Sequence, residues 1–227
     1  MGSGLSEGLF GRLKDATGGE WRAYTRHDFV RQLGAGTLPE ASFRHYLIQD
    51  YLFLIHFARA YALAVYKSDT LADMRQAGAS LSAILDLEMG LHVQFCAGWG
   101  LDEAAMATAP EATGTLAYTR FVLERGMAGD LLDLHVALAP CIVGYAEIAA
   151  ELMADPATRL DGNPYRAWIE MYAGDEYRAV ASAEIAQLDS LSARRGGEAR
   201  FADLVKTFTT ASRLEAGFWE MGLRLLP

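Results

Sequence analysis

The chain has few cysteines and no segment typical of a β-strand. Only Cys96 and Cys141 occur in 227 residues, too few for a disulfide framework, and this usage favours a reducing compartment. Alternating runs of β-branched residues between turn signals are missing, whereas apolar residues recur at helical spacing almost everywhere. These absences argue against a disulfide-rich secreted scaffold and predict an all-α protein.

Clustered basic residues and long apolar runs are also scarce. The formal charge is -9, and the lysines and arginines are mostly scattered singly, the densest basic stretch being "SARRGGEAR", which we interpret as a loop. This argues against a nucleic-acid partner because phosphate binding needs basic clusters. No apolar stretch approaches the roughly eighteen residues needed to cross a bilayer. The N-terminal "MGSGLSEGLFGRL" lacks a basic start followed by an apolar run. We therefore expect a cytoplasmic protein without a membrane partner.

No linker, internal repeat or low-complexity tract divides the chain, and 52% of its residues are hydrophobic. A length of 227 residues suits one well-filled core. The sequence therefore predicts a single domain, residues 1–227, built as a compact helical bundle. A long helix should open at Glu40 or Ser42, and the other predicted helices cover about 5–16, 27–34, 70–98, 102–107, 111–126, 130–154, 163–175, 177–193 and 198–225.

Cys141 directly follows a proline within an apolar helical pattern. Residues 131–139 and 141–152 both keep apolar residues at helical spacing, which predicts that Pro140 kinks one long helix rather than separating two. Cys141 and Tyr145, four residues apart, then share a helix face. Because free cysteine commonly behaves as a small buried hydrophobe, spacing alone leaves open whether the thiol is packing or a nucleophile.

Two carboxylates stand in apolar segments. Asp50 lies inside "YLIQDYLFLIHF", and a buried charge is costly unless it is paired or hydrogen-bonded. Its partner could be a backbone group, an arginine of a neighbouring helix, or a ligand, and Phe53 lies one turn further on. Near the C-terminus, Glu215 shares a face with two aromatic residues, whereas Glu220 is rotated away and is predicted to be solvated.

A Glu–His pair and a Glu–Glu pair raise the alternative of a metal site. Glu88 and His92 are four residues apart, as are Glu147 and Glu151. Di-iron carboxylate bundles use Glu-x-x-His, in which the spacing is one residue shorter. A hydrogen bond between the Glu88 and His92 side chains on one helix face explains that pair without a metal.

Five segments, in order, resemble the TenA family, the aminopyrimidine aminohydrolases also called thiaminase II. They are "GTLPEASFRHYLIQDYLFLIHFARAYALAVYKS", "LEMGLHVQF", "LAPCIVGY", "NPYRAWIEMYAGDEY" and "RLEAGFWEMG", and the correspondence to which they belong extends over nearly the whole chain. The resemblance implies an all-helical fold similar to haem oxygenase but without haem, a homotetramer, and hydrolysis of thiamin or its degraded pyrimidine products. It implies no metal or redox cofactor.

The resemblance also implies roles for individual residues. Cys141 matches the nucleophile that adds to ring carbon C6 of the aminopyrimidine, and Glu215 matches the acid/base at ring N1. Asp50 matches the aspartate that reads the amino and nitrogen edge of the ring. Phe53 stands where some members have a tyrosine, so a hydroxyl is lost and a stacking face is kept. The tyrosines that match the pocket lining, although each also fits ordinary core packing, are Tyr118, Tyr145 and Tyr172.

The sequence is also compatible with two other functions. One is a haem-oxygenase-like metallo-oxidase that uses the Glu and His pairs, which metal analysis would detect. The other is a pyrimidine-binding or regulatory protein that keeps the pocket without turnover, although no basic DNA-binding element supports regulation. The sequence does not distinguish thiamin, aminomethylpyrimidine and a formylated precursor as the natural substrate.

Overall fold

Residues 8–227 are described by a computed structural model, and within that range the secondary structure is helical with no strand. The all-α prediction is confirmed. The start of the first predicted helix, residues 5–7, lies outside the described residues. The α-helices are α1 (Leu9–Thr17), α2 (Gly19–Thr25), α3 (Asp28–Ala35), α4 (Glu40–Lys67), α5 (Leu71–Ala83), α6 (Met89–Ala97), α7 (Glu103–Ala107), α8 (Thr113–Ala128), α9 (Leu131–Ala154), α10 (Arg166–Ala173), α11 (Asp175–Arg194) and α12 (Gly197–Arg224).

Helix α2 is absent from the sequence prediction. Gly18 separates it from α1 with a φ of +43°, a conformation that glycine adopts without a steric penalty. The pair Gly18-Gly19 therefore ends one helix and begins the next, in a stretch to which the sequence prediction assigned no helix. Trp21 and Tyr24 on α2 are fully buried, so packing of these aromatic rings stabilises a helix too short to persist alone.

The helix predicted over 70–98 consists of three parts. After α5, residues Ile84–Glu88 form a π-helical segment, and α6 continues from Met89. A π-helical turn widens the hydrogen-bonding pattern from i→i+4 to i→i+5 and often marks a functional site. It shifts every following side chain around the helix axis, so the face shared by residues on either side of it differs from the one that regular spacing predicts.

Helix α9 runs through Pro140 without interruption, which confirms that the proline does not separate two helices. By length and overall composition, though not by an unbroken apolar run, α9 could span a bilayer. This helix has 24 residues and a window of mean hydropathy 1.6. However, 67% of that window is buried inside the protein, as in the core helix of a globular domain.

Tertiary contacts divide the chain into two units. The first unit comprises residues 8–38 and 135–219, and the second comprises 39–134 and 220–227. In the first unit, α1 packs against α2 and α11, and α10 against α11. In the second, the long α4 contacts α5, α6, α7, α8 and the π-helical segment. The single domain remains a prediction.

Candidate active site

Cys141 is the more accessible of the two cysteines. It is half-buried, whereas Cys96 is fully buried, and burial raises the pKa of the Cys96 thiol to about 11. Because the thiolate is the nucleophilic form, Cys96 is unsuited to chemistry at neutral pH. Cys141, in the first unit, is therefore the candidate nucleophile on grounds of exposure as well as sequence.

Aromatic rings surround the helical turn that follows Cys141. Tyr145 is buried, and its ring centroid lies 4.9 Å from that of Tyr172, 5.8 Å from that of Trp168 and 5.2 Å from that of Trp219. These contacts join α9, α10 and α12 within the first unit. Centroid separations of this size are those of favourable aromatic pairs, so the cluster fixes the positions of its own hydroxyl groups.

Glu215 lies on α12, one turn before Trp219, and is 1% exposed. The ring contact between Trp219 and Tyr145 therefore brings the part of α12 that carries Glu215 against the part of α9 that follows Cys141. Glu220 instead forms an ion pair with Arg224 and remains partly exposed. The prediction that Glu215 faces the interior and Glu220 the solvent is confirmed.

Asp50 is held by two side chains in the second unit. Its Oδ2 accepts a hydrogen bond from the Tyr46 hydroxyl at 3.2 Å, and the same oxygen lies 2.6 Å from Nε2 of His92. The neighbouring-arginine interpretation is not what the structure shows, because the charged partner is a histidine. Nδ1 of His92 lies 2.9 Å from the Glu88 carbonyl oxygen, which only accepts, so Nδ1 carries a hydrogen.

The hydrogen bond to Asp50 also affects the protonation of His92. Burial alone would lower the pKa of His92, but the hydrogen bond and the charge of Asp50 outweigh it and the pKa is raised. The imidazole of His92 thus neutralises the buried carboxylate of Asp50. A buried charge of this kind is tolerated because it is both paired and hydrogen-bonded.

Glu88 does not form the side-chain hydrogen bond to His92 that the spacing predicted, since its backbone carbonyl is the group that meets the ring. Burial raises the pKa of the Glu88 carboxyl to about 7, with a lowering effect of His92 and a raising effect of Asp50. Glu88 is the last residue of the π-helical segment, so this carboxyl group lies where the segment meets α6.

We expect Glu88→Gln to stabilise the protein at pH 8 but not at pH 4. The folded-state pKa lies above the ordinary value of 4.5, so ionisation opposes folding, and the wild type loses stability as the pH rises from 4.5 to 7. Removing the charge should add about 1–3 kcal/mol to the free energy of unfolding at pH 8. Urea unfolding at both pH values measures this. Asp86→Asn, at an exposed neighbour, is the control, and an equal gain at both pH values would contradict the prediction.

Phe53 and Tyr118 meet within the second unit. Both are buried, and their ring centroids are 5.0 Å apart. Gln49 anchors the start of α8, on which Tyr118 lies, because its side chain accepts hydrogen bonds from the Ala112 amide and the Thr115 hydroxyl at 2.9 and 2.7 Å. The residue beside Asp50 thus holds the first turn of the helix on which Tyr118 lies.

The structure therefore groups the predicted site residues in two sets. Cys141, Glu215, Tyr145 and Tyr172 belong to the first unit, and Asp50, Phe53 and Tyr118 to the second. That all seven bind one ligand remains a prediction. Sequence reasoning missed Tyr46 as a partner of Asp50, although its position one turn earlier on α4 was a usable signal. It treated His92 only as a metal ligand or a partner of Glu88.

The second pair considered for a metal site, Glu147 and Glu151, is engaged in other contacts. Lys14 donates to both carboxylate oxygens of Glu147, at 2.8 and 2.7 Å, and the Trp21 indole donates to one of them at 2.9 Å. Glu151 pairs with Arg26 at 3.3 Å. Among the described residues 8–227, no three histidine, cysteine or acidic side chains are grouped to hold a metal ion.

Proteins of known sequence resemble this chain along most of its length. An aminopyrimidine aminohydrolase of Halalkalibacterium halodurans is 37% identical over 88% of this chain and 89% of its own. The aminopyrimidine aminohydrolase of Bacillus subtilis is 30% identical over 90% of this chain and 85% of its own. An uncharacterised protein of Haemophilus influenzae is 42% identical over 90% and 94% of the two chains.

Solved structures also resemble the fold of this chain. A protein from Silicibacter sp., described as a TenA family transcription regulator, matches with a TM-score of 0.89 and 48% identity over 95% of this chain and 96% of its own. A TenA homologue from P. horikoshii matches with a TM-score of 0.87 and 27% identity over 96% and 99%. The TENA/THI-4/PQQC family model matches residues 16–225. The chain belongs to the TENA/THI-4/PQQC family.

Proposed function

We propose that the protein is an aminopyrimidine aminohydrolase of thiamin salvage. It would convert 4-amino-5-aminomethyl-2-methylpyrimidine, or thiamin, to 4-amino-5-hydroxymethyl-2-methylpyrimidine. Relatives with that activity in their names are 30–37% identical to it over most of their length. One observation in the structure carries the proposal. Cys141 is half-buried rather than enclosed, and the Tyr145–Trp219 contact brings its helix against the helix that bears the buried Glu215.

The proposed chemistry uses the thiol of Cys141 and the carboxyl group of Glu215. A pyrimidine is a poor electrophile, so it needs a strong nucleophile together with protonation of a ring nitrogen. Addition of the thiolate to C6, with a proton delivered to N1 by Glu215, breaks the aromaticity. The electron pair then expels the amine or thiazole from the 5-methylene, water adds to that carbon, and the thiolate leaves as the ring regains its aromaticity.

The remaining predicted residues would hold the ring. Tyr145 and Tyr172 are fixed in the aromatic cluster of the first unit, and Phe53 and Tyr118 in that of the second. Asp50 would accept a hydrogen bond from the exocyclic amine. A polar contact of this kind rejects rings that lack the matching group, because the buried partner is then left unpaired. Asp50 would therefore determine specificity rather than supply chemistry.

Turnover is the direct test of this proposal. Purified protein is incubated with thiamin, the aminomethylpyrimidine and its formylated form, and the hydroxymethylpyrimidine product is measured by chromatography. We expect product from at least one substrate, at a rate that EDTA does not change. Absence of product from all three would contradict the proposal and favour a pyrimidine-binding protein. A stoichiometric metal with activity lost in EDTA would favour a metallo-oxidase.

Asp50→Asn tests recognition of the ring. The amide replaces one acceptor of Asp50 with a donor, so binding of the hydroxymethylpyrimidine should weaken by roughly 2–4 kcal/mol. Folding stability should fall by only about 1 kcal/mol, because His92, unlike an arginine, can lose its proton and accept a hydrogen bond from the new amide. Titration calorimetry and urea unfolding of the same variant measure both. A variant that unfolds early but binds normally would overturn the recognition role.

We also propose that the protein acts as a cytoplasmic homotetramer. The resemblance of the five motifs to the family supports the assembly, and the exposed apolar residues Tyr66 and Met127, at 84% and 69% exposure, offer surface for subunit contacts. Both cysteines are free thiols, which suits a reducing compartment. Sedimentation equilibrium should give a mass about four times the 24.8 kDa of the chain. A mass of one chain would contradict the assembly.

A further inference from the structure

Tyr24, a residue of α2, contacts the backbone beside the candidate nucleophile. Its ring is fully buried, and its hydroxyl donates a hydrogen bond of 3.2 Å to the carbonyl oxygen of Pro140. We propose that Tyr24 is a positioning residue that orients the turn of α9 carrying Cys141. The inference rests on the proposed function, in which Cys141 is the nucleophile.

The hydrogen bond acts on the peptide unit that leads into Cys141. The carbonyl of Pro140 and the amide nitrogen of Cys141 lie in one planar group, so a donor that fixes the oxygen also fixes the plane to which the cysteine is attached. Support is needed there because Pro140 has no N–H, and the carbonyl of Val136 therefore lacks its usual helical donor. The turn with fewer backbone hydrogen bonds thus gains a side-chain bond from another helix of the first unit.

Gly144 makes room for the Tyr24 ring on α9. A Cβ atom at position 144 would lie 2.4 Å from Cε1 of Tyr24 and 2.6 Å from its hydroxyl oxygen, far inside van der Waals contact. Any other residue would have to displace the ring and its hydrogen bond. Glycine is unfavourable within a helix, so its presence one turn after Pro140 fits a requirement for the close approach of Tyr24.

The Tyr24 ring is itself held on two sides. Its centroid is 5.5 Å from that of Trp21 in an edge-on contact and 6.3 Å from that of Trp219 in a stacked one. Trp219 lies one turn after Glu215 on α12. Tyr24 therefore contacts the helices that carry the candidate nucleophile and the candidate acid/base, and a shift of its ring would alter the geometry between them.

Tyr24→Phe tests the role, because it keeps the ring and removes only the hydroxyl. We expect kcat to fall about tenfold with KM within about twofold of the wild type, since ring binding does not involve this group. The matched control is Tyr165→Phe, which removes a buried hydroxyl that also donates to a backbone carbonyl, that of Leu38. We expect its kcat to stay within about twofold of the wild type. Equal losses of kcat in both variants would reduce Tyr24 to a structural role and overturn the proposal.

Two measurements distinguish a failure of this inference from a failure of the proposed function. Hydrogen exchange of the 141–145 segment, followed by mass spectrometry, needs no substrate, and we expect about tenfold faster exchange in Tyr24→Phe but not in Tyr165→Phe. Unchanged exchange would overturn the positioning role even if the enzyme is active. Faster exchange with unchanged kcat in an active enzyme would also overturn it. If the wild type turns over no pyrimidine, the proposed function fails. The rate at which iodoacetamide alkylates Cys141, measured in a Cys96→Ser background, then replaces kcat as the readout. We expect Tyr24→Phe to change that rate by at least about threefold.

Gly144→Ala should disrupt the hydrogen bond between Tyr24 and Pro140 while leaving Tyr24 itself unchanged. The added methyl group must push the ring away from Pro140, so we expect a loss of kcat at least as large as in Tyr24→Phe, together with lower stability. In the double variant the two losses of kcat should not add, because both remove one interaction. Additive losses would show that the two residues act independently and would contradict the proposal.

Discussion

Replacing Cys141 with serine should abolish hydrolysis and leave the protein folded. Oxygen is close to sulfur in size, but a serine hydroxyl is far less nucleophilic than a thiolate at neutral pH, so turnover should fall by about a thousandfold or more. The variant should unfold at nearly the same urea concentration as the wild type, because Cys141 is half-buried and the change conserves volume.

Cys96→Ser supplies the matched control for this prediction. Cys96 is fully buried and the pKa of its thiol is raised to about 11, so it should contribute no reactive thiolate. We expect normal kinetics from this variant and a modest loss of stability from burying a hydroxyl group. If Cys141→Ser kept about a tenth of wild-type activity, the covalent mechanism would have to be abandoned.

Glu215→Gln should slow turnover by on the order of a hundredfold or more. The amide cannot deliver a proton to the ring nitrogen, but it is similar in size and still forms hydrogen bonds, so binding of the hydroxymethylpyrimidine should change much less than kcat. Steady-state kinetics, together with titration calorimetry of the product, separates the two effects. Equal losses in kcat and in affinity would indicate that Glu215 binds the ring rather than protonating it.

Glu220→Gln completes the comparison on the same helix. Glu220 pairs with Arg224 at the surface, and exposed pairs within a helix contribute about 0.5 kcal/mol or less to stability. We expect this variant to be indistinguishable from the wild type in kcat. If Glu220→Gln were the inactive variant and Glu215→Gln the active one, the assignment of the acid/base from the helix face would be wrong.

The sequence predicted those parts of the structure that depend on local spacing. The continuity of α9 through Pro140 followed from apolar residues on both sides of it, and the opposite environments of Glu215 and Glu220 followed from their positions around one helix. In both cases the information lies within a few turns of a single element, where a period of 3.6 residues determines which side chains face inward.

Contacts between distant segments were not predictable in the same way. His92 and Asp50 are 42 residues apart. A π-helical segment precedes α6, and no spacing rule anticipates the change of register that it causes. The short α2 depends on burial of its aromatic residues rather than on helix propensity, and the sequence prediction assigned no helix there. Tyr24 is therefore visible as a partner of Pro140 only in the folded chain.

The difference in exposure between the two thiols also allows the opening of the folded structure to be measured by thiol labelling. A maleimide dye should label the half-buried Cys141 in the native state, and because Cys96 is fully enclosed, it should react only when its surroundings open. The labelling rate of Cys96 in a Cys141→Ser background would then report how often the segment around α6 opens. Comparison of that rate with the urea-derived stability distinguishes a local fluctuation from global unfolding.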